Sequence, residues 1–293
     1  MLKISIVTVC YNMAAYIEQT MLSVLSQDYE NLEYIVIDGG STDGTQDIIA
    51  RYRDRLAYYV SEPDNGMYDA LNKGFQHATG DILAWINADD IYLPGAFKAV
   101  NKVFSAFEQI EWINGRGAYL SEDGALSQVM PKNAIRTRRD IRNGWCRDDV
   151  LGFLMQEGMF WRPSLMQKAG GLDTRYRYAG DFDLWVRFAQ QADIYYVDIP
   201  LSAFRIRTTN LSTVCLKGYR DEMMAVVSGR RRYPNLIWRC LPHNNRLIIN
   251  LLRMFRIRKG NLVCFPFKLD KLRLKTILSS ASPHVFSRLI TLF

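Results

Sequence analysis

The chain has 293 residues, of which 48% are hydrophobic, 12% aromatic and 23% charged, and its formal net charge is +7. These proportions are typical of a globular protein and exclude a disordered, collagenous or fibrous chain. The five cysteines are far apart and form no CxxC pair, which favours a reducing compartment over a disulfide framework or a zinc site. We expect no signal peptide, and no stretch reaches the roughly 18 to 20 apolar residues that span a bilayer.

The first hundred residues alternate strands and helices. Short buried runs predict strands, and apolar residues at helical spacing predict helices. Strands are predicted at 4–9, 32–37, 56–61 and 82–86, and helices at 15–27 (with Asn12 as N-cap), 45–52 and 69–77. This order is typical of a parallel sheet with helices on both faces.

A polar segment follows each of the four strands at once. The segments are 10–12, 38–41, 62–66 and 87–90. Ligands bind beyond the carboxyl ends of the strands in such sheets, so we expect these segments to meet at one edge and form a site.

The second half has a less regular pattern. It predicts strands at 112–115, 158–162, 194–199 and 201–207, helices at 164–169 and 181–191, and a basic, mobile stretch at 136–147. Charge also divides the chain: residues 1–115 carry a net −9, residues 116–228 a net +3 and residues 229–293 a net +13. We therefore expect the acidic front and the basic tail to have different roles.

Two acidic segments could carry chemistry. Asn87-Ala88-Asp89-Asp90 suits a hard divalent cation such as Mg²⁺ or Mn²⁺, but it could equally cap the turn that follows. The segment from Asp38 to Gly44 is rich in glycine but matches neither a dinucleotide-binding nor a P-loop pattern. Asp38 could accept hydrogen bonds from a nucleobase or ribose, or it could simply form a turn.

Three later residues have similar pairs of interpretations. Asp181 could be a general base at the start of a helix, or only its N-cap. Arg205 and Arg207 alternate on a predicted strand and face the same side, where they could bind phosphate or pair with nearby acids. The three histidines are too far apart to be metal ligands.

Five stretches together resemble family 2 glycosyltransferases with a GT-A fold. In chain order they are SIVTVCYN, YIVIDGGSTDGT, SEPDNGMYDALNKGF, GDILAWINADD and GGLDTRYRYAGDFDLWVRFA, and they cover roughly residues 1–210. The subgroup most similar in pattern is the bacterial enzymes that build surface polysaccharides. The resemblance implies a mixed, mainly parallel sheet flanked by helices. Residues 1–228 would be the catalytic domain, with a nucleotide-binding half (1–115) and an acceptor-side half (116–228), and residues 229–293 a helical basic extension.

The resemblance also implies residue roles. Asp181 would be the catalytic base and Asp89 the ligand of Mn²⁺ or Mg²⁺. The donor-binding residues would be Thr8, Tyr11, Asp38, Glu62, Asp64, Lys73, Asn87, Asp90, Arg205 and Arg207. The reaction would be an inverting transfer of a sugar from a nucleotide-diphospho-sugar, with UDP as the first choice, to a glycan or polyprenyl-linked acceptor.

Three positions depart from the family pattern. The metal motif often begins with Asp, where this chain has Asn87, and the base often follows Glu, where this chain has Gly180. A histidine is frequent near the strand of Arg205, and Arg207 stands there instead. These departures keep open the alternative that this chain is a relative that binds sugar nucleotides or glycans and has lost catalysis. A nucleotidyltransferase is disfavoured because no Gly-rich, Arg-bearing loop follows the first strand.

The basic tail (229–293) mixes cations with leucine, isoleucine and phenylalanine. A helix of this composition would suit the surface of an anionic membrane, which predicts a cytoplasmic protein at the inner face of the cell membrane. The alternative is packing on the catalytic domain or on a second subunit in a homodimer. Nucleic acid is not an expected partner, because the front half is acidic and no nucleic-acid-binding motif is visible.

Overall fold

The computed structural model describes residues 1–130, 136–148 and 150–229. Nine strands within these residues form a single sheet. Their bounds are β1 Ile4–Cys10, β2 Leu32–Asp38, β3 Tyr58–Ser61, β4 Ile82–Asn87, β5 Ile91–Tyr92, β6 Trp112–Leu120, β7 Leu126–Val129, β8 Met159–Trp161 and β9 Ile194–Arg205.

Helices flank the sheet. Their bounds are α1 Ile17–Leu25, α2 Thr45–Ala50, α3 Met67–Gln76, α4 Ala96–Ala106, α5 Arg138–Arg142, α6 Pro163–Ala169, α7 Gly180–Gln191, α8 Leu211–Val214 and α9 Leu216–Val226. Single 3-10 turns lie at Arg53–Arg55 and Gln156–Gly158. The second turn leads directly into β8.

The strand order is β3-β2-β1-β4-β8-β6-β9-β5, with β7 paired to β6. The strands β1 to β4 run parallel, and all seven residues of β1 are buried, as expected for a strand covered on both faces. β8 is antiparallel to both of its neighbours, while β6 and β9 are parallel. The predicted mixed, mainly parallel sheet is confirmed.

The register of the parallel strands brings their polar ends together. Cys10 of β1 pairs with Asp38 of β2, Asp38 pairs with Ser61 of β3, and Val9 of β1 pairs with Asn87 of β4. The predicted polar segments therefore begin at the same edge of the sheet.

An aromatic cluster in the core joins the two halves of the chain. Trp85 of β4 stacks on Trp185 of α7, with ring centroids 5.4 Å apart and ring planes 9° apart. Trp185 also stacks on Trp112 of β6 at 6.1 Å, and Trp161 of β8 meets the edge of Trp85 at 5.4 Å. Aromatic packing of this kind fixes α7 against the strand that ends at residue 87.

The expected N-cap at Asn12 was wrong. Helix α1 begins at Ile17, and Asn12 has a φ of 53° in the loop before it. The Asn12 side-chain oxygen accepts a hydrogen bond from the backbone N–H of Thr42 at 2.9 Å. Asparagine favours left-handed turns as well as helix caps, and here it ties together the loops after β1 and β2.

The stretch 136–147 was predicted to be mobile and is instead anchored. It contains α5, whose N-terminus has a capping box between Thr137 and Asp140. The Arg138 guanidinium donates to the carbonyls of Ala189 and Gln190 at the end of α7, each at 2.8 Å. The Arg138 cation of this stretch therefore faces the carbonyls at the end of a helix as well as solvent.

Other elements also differ from the sequence prediction. The two strands expected at 194–199 and 201–207 are the single strand β9. The pattern did not predict β5, β7, α4, α8 or α9. Within the described residues, no helix combines the length and the apolarity needed to cross a bilayer. The proposed extension at 229–293 lies, apart from Gly229, outside the described residues, and the division of the chain into domains remains a prediction.

Candidate functional site

Asp38, at the end of β2, is fully buried and holds the surrounding turn. Its carboxylate accepts hydrogen bonds from the backbone N–H of Ser41 at 2.9 Å, from the hydroxyl of Ser61 at 2.5 Å and from the Ser41 hydroxyl. The Cys10 thiol lies 3.4 Å from the same carboxylate. Burial and the neighbouring Asp38 charge raise the pKa of that thiol well above its usual value. Asp38 thus fixes the loop geometry at this edge.

An exposed aromatic ring stands beside this turn. Tyr11 is 62% exposed although it directly follows a fully buried strand. A Cβ at Gly39 would lie 2.7 Å from Asp64 Oδ2 and 3.4 Å from the Tyr11 ring, so these three residues are in close proximity. An exposed ring next to carboxylates can stack on a flat, hydrogen-bonding group such as a nucleobase.

Thr8 is not brought to this edge, since it is buried and accepts a hydrogen bond from the Tyr34 hydroxyl at 3.0 Å.

Lys73 of α3 is paired with carboxylates. Its ammonium lies 2.9 Å from Glu62 and 3.8 Å from Asp69. The hydrogen bond to Glu62 raises the pKa of Lys73, so this cation stays charged. Two of the predicted donor-binding residues, Glu62 and Lys73, are therefore neighbours.

Asp89 and Arg207 form a buried ion pair between the ends of β4 and β9. Arg207 Nη2 lies 2.5 Å from Asp89 Oδ2, and each side chain is about one-tenth exposed. The Arg207 guanidinium also lies 4.8 Å from the centroid of the Tyr16 ring. Of the two interpretations of Arg207, pairing with a nearby acid is the one present in this arrangement.

Arg205 has a different environment. It is 1% exposed, and its Nε donates to the backbone carbonyl of Asp89 at 2.7 Å. Its Nη1 donates to the carbonyl of Glu122 at 3.0 Å, and its backbone N–H donates to Asp90 Oδ1 at 2.8 Å. Arg205 therefore connects the end of β9 to the segment after β4, and its donors face the protein.

Two further buried carboxyl groups lie close enough to Asp89 for its charge to act on them. Asp90 is fully buried, and Glu157, in the 3-10 turn before β8, is 4% exposed. Burial is the main cause that raises both pKa values, that of Asp90 well above its usual value and that of Glu157 to about 7, and the charge of Asp89 adds to both. The Oε2 atom of Glu157 has no hydrogen-bond partner.

Asp181 lies in the first turn of α7, and Ala179 occupies the N-cap position. Burial raises the pKa of its carboxyl to about 6, against hydrogen bonds from the backbone N–H of Phe182 and from two tyrosine hydroxyls. The Tyr219 hydroxyl lies 3.2 and 3.3 Å from the two carboxylate oxygens, and the Tyr68 hydroxyl lies 3.4 Å from one of them. A carboxylate with this pKa is ionised at neutral pH and still basic enough to take a proton.

Gly180 explains one departure from the family pattern. A Cβ at this position would lie 2.7 to 2.8 Å from three carbons of the Tyr68 ring. Tyr68 itself is 2% exposed and its hydroxyl donates to the carbonyl of Tyr178 at 2.8 Å. A larger residue at position 180 would displace the tyrosine that contacts Asp181.

Sequence reasoning missed Glu157, Tyr68 and Tyr219. Glu157 has a weak signal, since a carboxylate stands directly before the apolar run of β8. The raised pKa of Glu157 depends on the charges of both Asp89 and Asp181, which places it between those two residues electrostatically. The tyrosines have no local signal, because they lie 113 and 38 positions from Asp181 in sequence.

Comparisons with known proteins indicate the family of this chain. A family model described as glycosyl transferase family 2 matches residues 5–127. A glycosyltransferase of Mycobacterium tuberculosis (strain H37Rv), called uncharacterized, is 31% identical over 189 residues, which are 64% of this chain and 68% of the relative. The chain belongs to glycosyltransferase family 2. An uncharacterized glycosyltransferase of Rickettsia prowazekii is 29% identical over 222 residues, 74% of this chain and 69% of the relative.

Two solved structures share the fold of this chain. Staphylococcus aureus TarS 1-349 in complex with UDP-GlcNAc matches 97% of this chain and 82% of its own chain, with a TM-score of 0.60 and 15% identity. The mannosyltransferase PcManGT of Pyrobaculum calidifontis, in complex with GDP-Man and Mn²⁺, matches 99% and 79%, with a TM-score of 0.59 and 19% identity. The predicted GT-A fold is confirmed. The family model ends before Glu157 and Asp181, so their roles in this family 2 chain depend on their geometry.

Proposed function

We propose that this chain is an inverting glycosyltransferase that moves a sugar from a nucleotide-diphospho-sugar, with UDP as the expected nucleotide, to a hydroxyl of a glycan or lipid-linked acceptor during the synthesis of a bacterial surface polysaccharide. The observation that carries this proposal is the Asp181 carboxyl, whose pKa is raised to about 6 at the head of a helix packed on the strand that leads to Asp89. Asp181 thus lies close to the charged group formed by Asp89 and Arg207. Both lie near the carboxyl end of the sheet, where ligands bind in sheets of this kind.

We define the donor side as the loops after β1 to β4, with Tyr11, Asp38, Asp64 and Asp89. The Tyr11 ring would stack on the nucleobase, and carboxylate oxygens near Gly39 would accept hydrogen bonds from the base or ribose. Asp38 would act mainly by holding the turn, because its own oxygens are occupied. Glu62 and Lys73 would line the donor sugar or diphosphate.

One observation supports a site for a divalent cation, Mn²⁺ or Mg²⁺, at the end of β4. The side-chain oxygen of Asn87 is buried and has no hydrogen-bond partner, and together with Asp89 it offers hard oxygen atoms. Among the described residues, no group of three His, Cys, Asp or Glu side chains could hold a metal alone, so diphosphate and water would complete the ligands. When bound, the cation would neutralise charge on the leaving diphosphate.

Arg207 supplies a second positive charge at the same place. Its guanidinium already lies on Asp89, and one of its nitrogens, Nε, is buried without a partner. A diphosphate oxygen would be a better partner for this nitrogen than apolar protein, since a charge-assisted hydrogen bond gains more than a neutral one. Arg207 would therefore bind the diphosphate, whereas Arg205 would hold the loop.

We define the acceptor side as Asp181 with Tyr68, Tyr178 and Tyr219 around it. Asp181 would take the proton of the acceptor hydroxyl while that oxygen forms a bond to C1 of the sugar. The bond between C1 and the diphosphate oxygen breaks in the same step, and the nucleoside diphosphate leaves with the electron pair. Attack from the face opposite the leaving group inverts the anomeric centre.

The substitution Asp181→Asn tests the function. We expect the transfer rate to fall by about 10²- to 10⁴-fold, because the amide cannot accept the proton, while donor affinity stays unchanged. Loss of a desolvated charge should leave the variant at least as stable as wild type at pH 7, since the folded-state pKa is raised. Nucleoside diphosphate release and calorimetric donor binding measure the two quantities.

A screen of UDP-GlcNAc, UDP-glucose and GDP-mannose by thermal shift, with and without Mn²⁺, selects the donor.

The matched control is Asp47→Asn, which changes an exposed aspartate in the first turn of α2. It should keep wild-type transfer and binding. Wild-type turnover in Asp181→Asn would refute the assignment of the base. Donor binding without any diphosphate release in the wild-type chain would instead support the non-catalytic alternative.

Three further expectations remain predictions: contact of residues 229–293 with an anionic membrane, a homodimer, and a cytoplasmic location.

A further inference from the structure

Helix α9 contacts the acceptor side through two residues on one face. Tyr219 reaches the Asp181 carboxylate, and Glu222, three positions later, reaches the loop before α7. Residues three apart in a helix lie on the same side, so both contacts come from a single docked surface. Neither residue falls within the part of the chain that the family model matches.

The distances show that Tyr219 is the main tyrosine donor to Asp181. The Tyr68 hydroxyl has one proton, and its nearest acceptor is the carbonyl of Tyr178 at 2.8 Å, which has no proton to give in return. Tyr68 therefore donates mainly to that carbonyl, and its contact with Asp181, at 3.4 Å, is the longer of its two contacts. Among the described side-chain hydroxyls near Asp181, the Tyr219 hydroxyl oxygen is the nearer one, at 3.2 and 3.3 Å from the two carboxylate oxygens.

The position of the Tyr219 ring is fixed. Its ring meets the edge of Phe153 with centroids 5.5 Å apart and planes 89° apart. Below it, Met223 of the same helix and Val227, just after that helix ends, pack with Phe182 of α7 in a small buried cluster. Burial and the Asp181 charge raise the pKa of Tyr219 well above its usual value, so the hydroxyl remains a donor over the working pH range.

Glu222 fixes the backbone next to the base. Its carboxylate accepts hydrogen bonds from three consecutive backbone N–H groups, those of Arg177 at 2.9 Å, Tyr178 at 2.8 Å and Ala179 at 2.8 Å. A carboxylate here also satisfies groups just before the N-terminus of α7 and interacts favourably with its dipole. The loop just before Asp181 is thus held by α3 through Tyr68 and by α9 through Glu222.

We propose that Tyr219 is a positioning residue that orients the Asp181 carboxylate for proton abstraction, and that helix α9 thereby completes the acceptor side. This inference rests on the proposed role of Asp181 as base. The Tyr219 hydroxyl contacts both carboxylate oxygens and so restricts rotation of the carboxylate, which would keep the same edge turned to the incoming hydroxyl. It also stabilises the ionised form that must exist before the reaction begins.

The substitution Tyr219→Phe removes the hydroxyl and keeps the ring on Phe153. We expect kcat to fall about tenfold, while KM for the sugar nucleotide is unchanged, because a charge-assisted hydrogen bond is lost only at the base. Among the described residues, the charged and titratable groups facing Asp181 are Tyr68, Tyr219, Glu157, Cys146 in the same cavity and, behind Tyr68, Glu222. With the other four unchanged, the acid limb of the pH–rate profile should move up by about one unit.

The matched control is Tyr52→Phe. Its hydroxyl donates to Glu18 at 2.7 Å and so also loses a tyrosine–carboxylate hydrogen bond, but away from Asp181. This control should retain the wild-type kcat and pH profile. A Tyr219→Phe variant with wild-type kcat and an unmoved acid limb would overturn the proposal.

A second readout keeps this inference separate from the proposed function. Carbon-13 NMR of labelled aspartate follows the titration of Asp181 in the full chain without any substrate, with Asp181→Asn identifying its signal. An upward shift in Tyr219→Phe supports the contact, and an unchanged titration refutes it. If the wild-type chain releases no diphosphate from UDP-GlcNAc, UDP-glucose or GDP-mannose, the proposed function fails, and this titration alone decides the role of Tyr219.

Discussion

On the donor side, each polar side chain lies within a few residues of the end of a strand, whereas the acceptor side gathers residues far apart in sequence. Tyr11 directly follows β1, Asp38 ends β2, and Asp89 lies two positions after β4. Asp181 meets Tyr68, 113 positions earlier, and Tyr219, 38 positions later. Strand pairing positions the first set, while packing between helices positions the second. Changes to single loops should therefore affect donor binding, and changes to distant helices should affect catalysis.

The largest expected effect comes from breaking the connection between the two halves at Arg205. Arg205→Met should lower the free energy of unfolding by about 3 kcal/mol, because the buried carbonyls of Asp89 and Glu122 lose a charged donor. Urea denaturation measures the change. Arg207→Lys is the matched control, since it keeps a cation beside the buried Asp89, and it should weaken donor binding more than it destabilises the fold. Equal destabilisation by both variants would contradict the separate roles of these arginines.

An intermediate effect is expected from Gly180→Ala, which alters only the acceptor side. The added Cβ would lie within 2.8 Å of the Tyr68 ring, so the ring or the start of α7 must shift. We expect kcat to fall about 10- to 100-fold with unchanged donor affinity, since small displacements of a base are costly. Steady-state kinetics and calorimetry measure both quantities. Loss of donor affinity with retained kcat would show that the two sides are not separable.

A smaller effect is expected at Glu157, which lies electrostatically between the two sides. Its folded-state pKa of about 7 exceeds the ordinary value of 4.5, so its protonated form favours folding. The stability it contributes is complete below about pH 4.5 and is lost as pH rises toward 7. Glu157→Gln should therefore raise the free energy of unfolding by about 1 to 2 kcal/mol at pH 8 and change it little at pH 4. Denaturation at both pH values tests this, and a larger gain at pH 4 would reverse the sign.

The sequence predicted the donor side better than the acceptor side for a physical reason. Buried β-branched runs followed by polar segments identified β1, β2 and β4 and the edge where Asp38 and Asn87 lie. Parallel strands of similar length bring their ends together without further information. The error at Asn12 arose because the same residue type caps helices and occupies left-handed turns.

The acceptor side depends on contacts that no local pattern encodes. The sequence left Asp181 as either a general base or a helix N-cap, only the resemblance to a family motif favoured the base, and α9 was not predicted. Helix α9 is weakly amphipathic in sequence, and its functional contacts come from a tyrosine and a glutamate that are typical of any exposed helix. Gly180 looked like a loss relative to the family, whereas the structure shows that Tyr68 fills the space.

The stacked indoles of Trp85 and Trp185 form a rigid connection between the strand that leads to Asp89 and the helix whose first turn carries Asp181. Close-packed rings cannot slide without opening a void, so α7 and β4 should move together as the protein fluctuates.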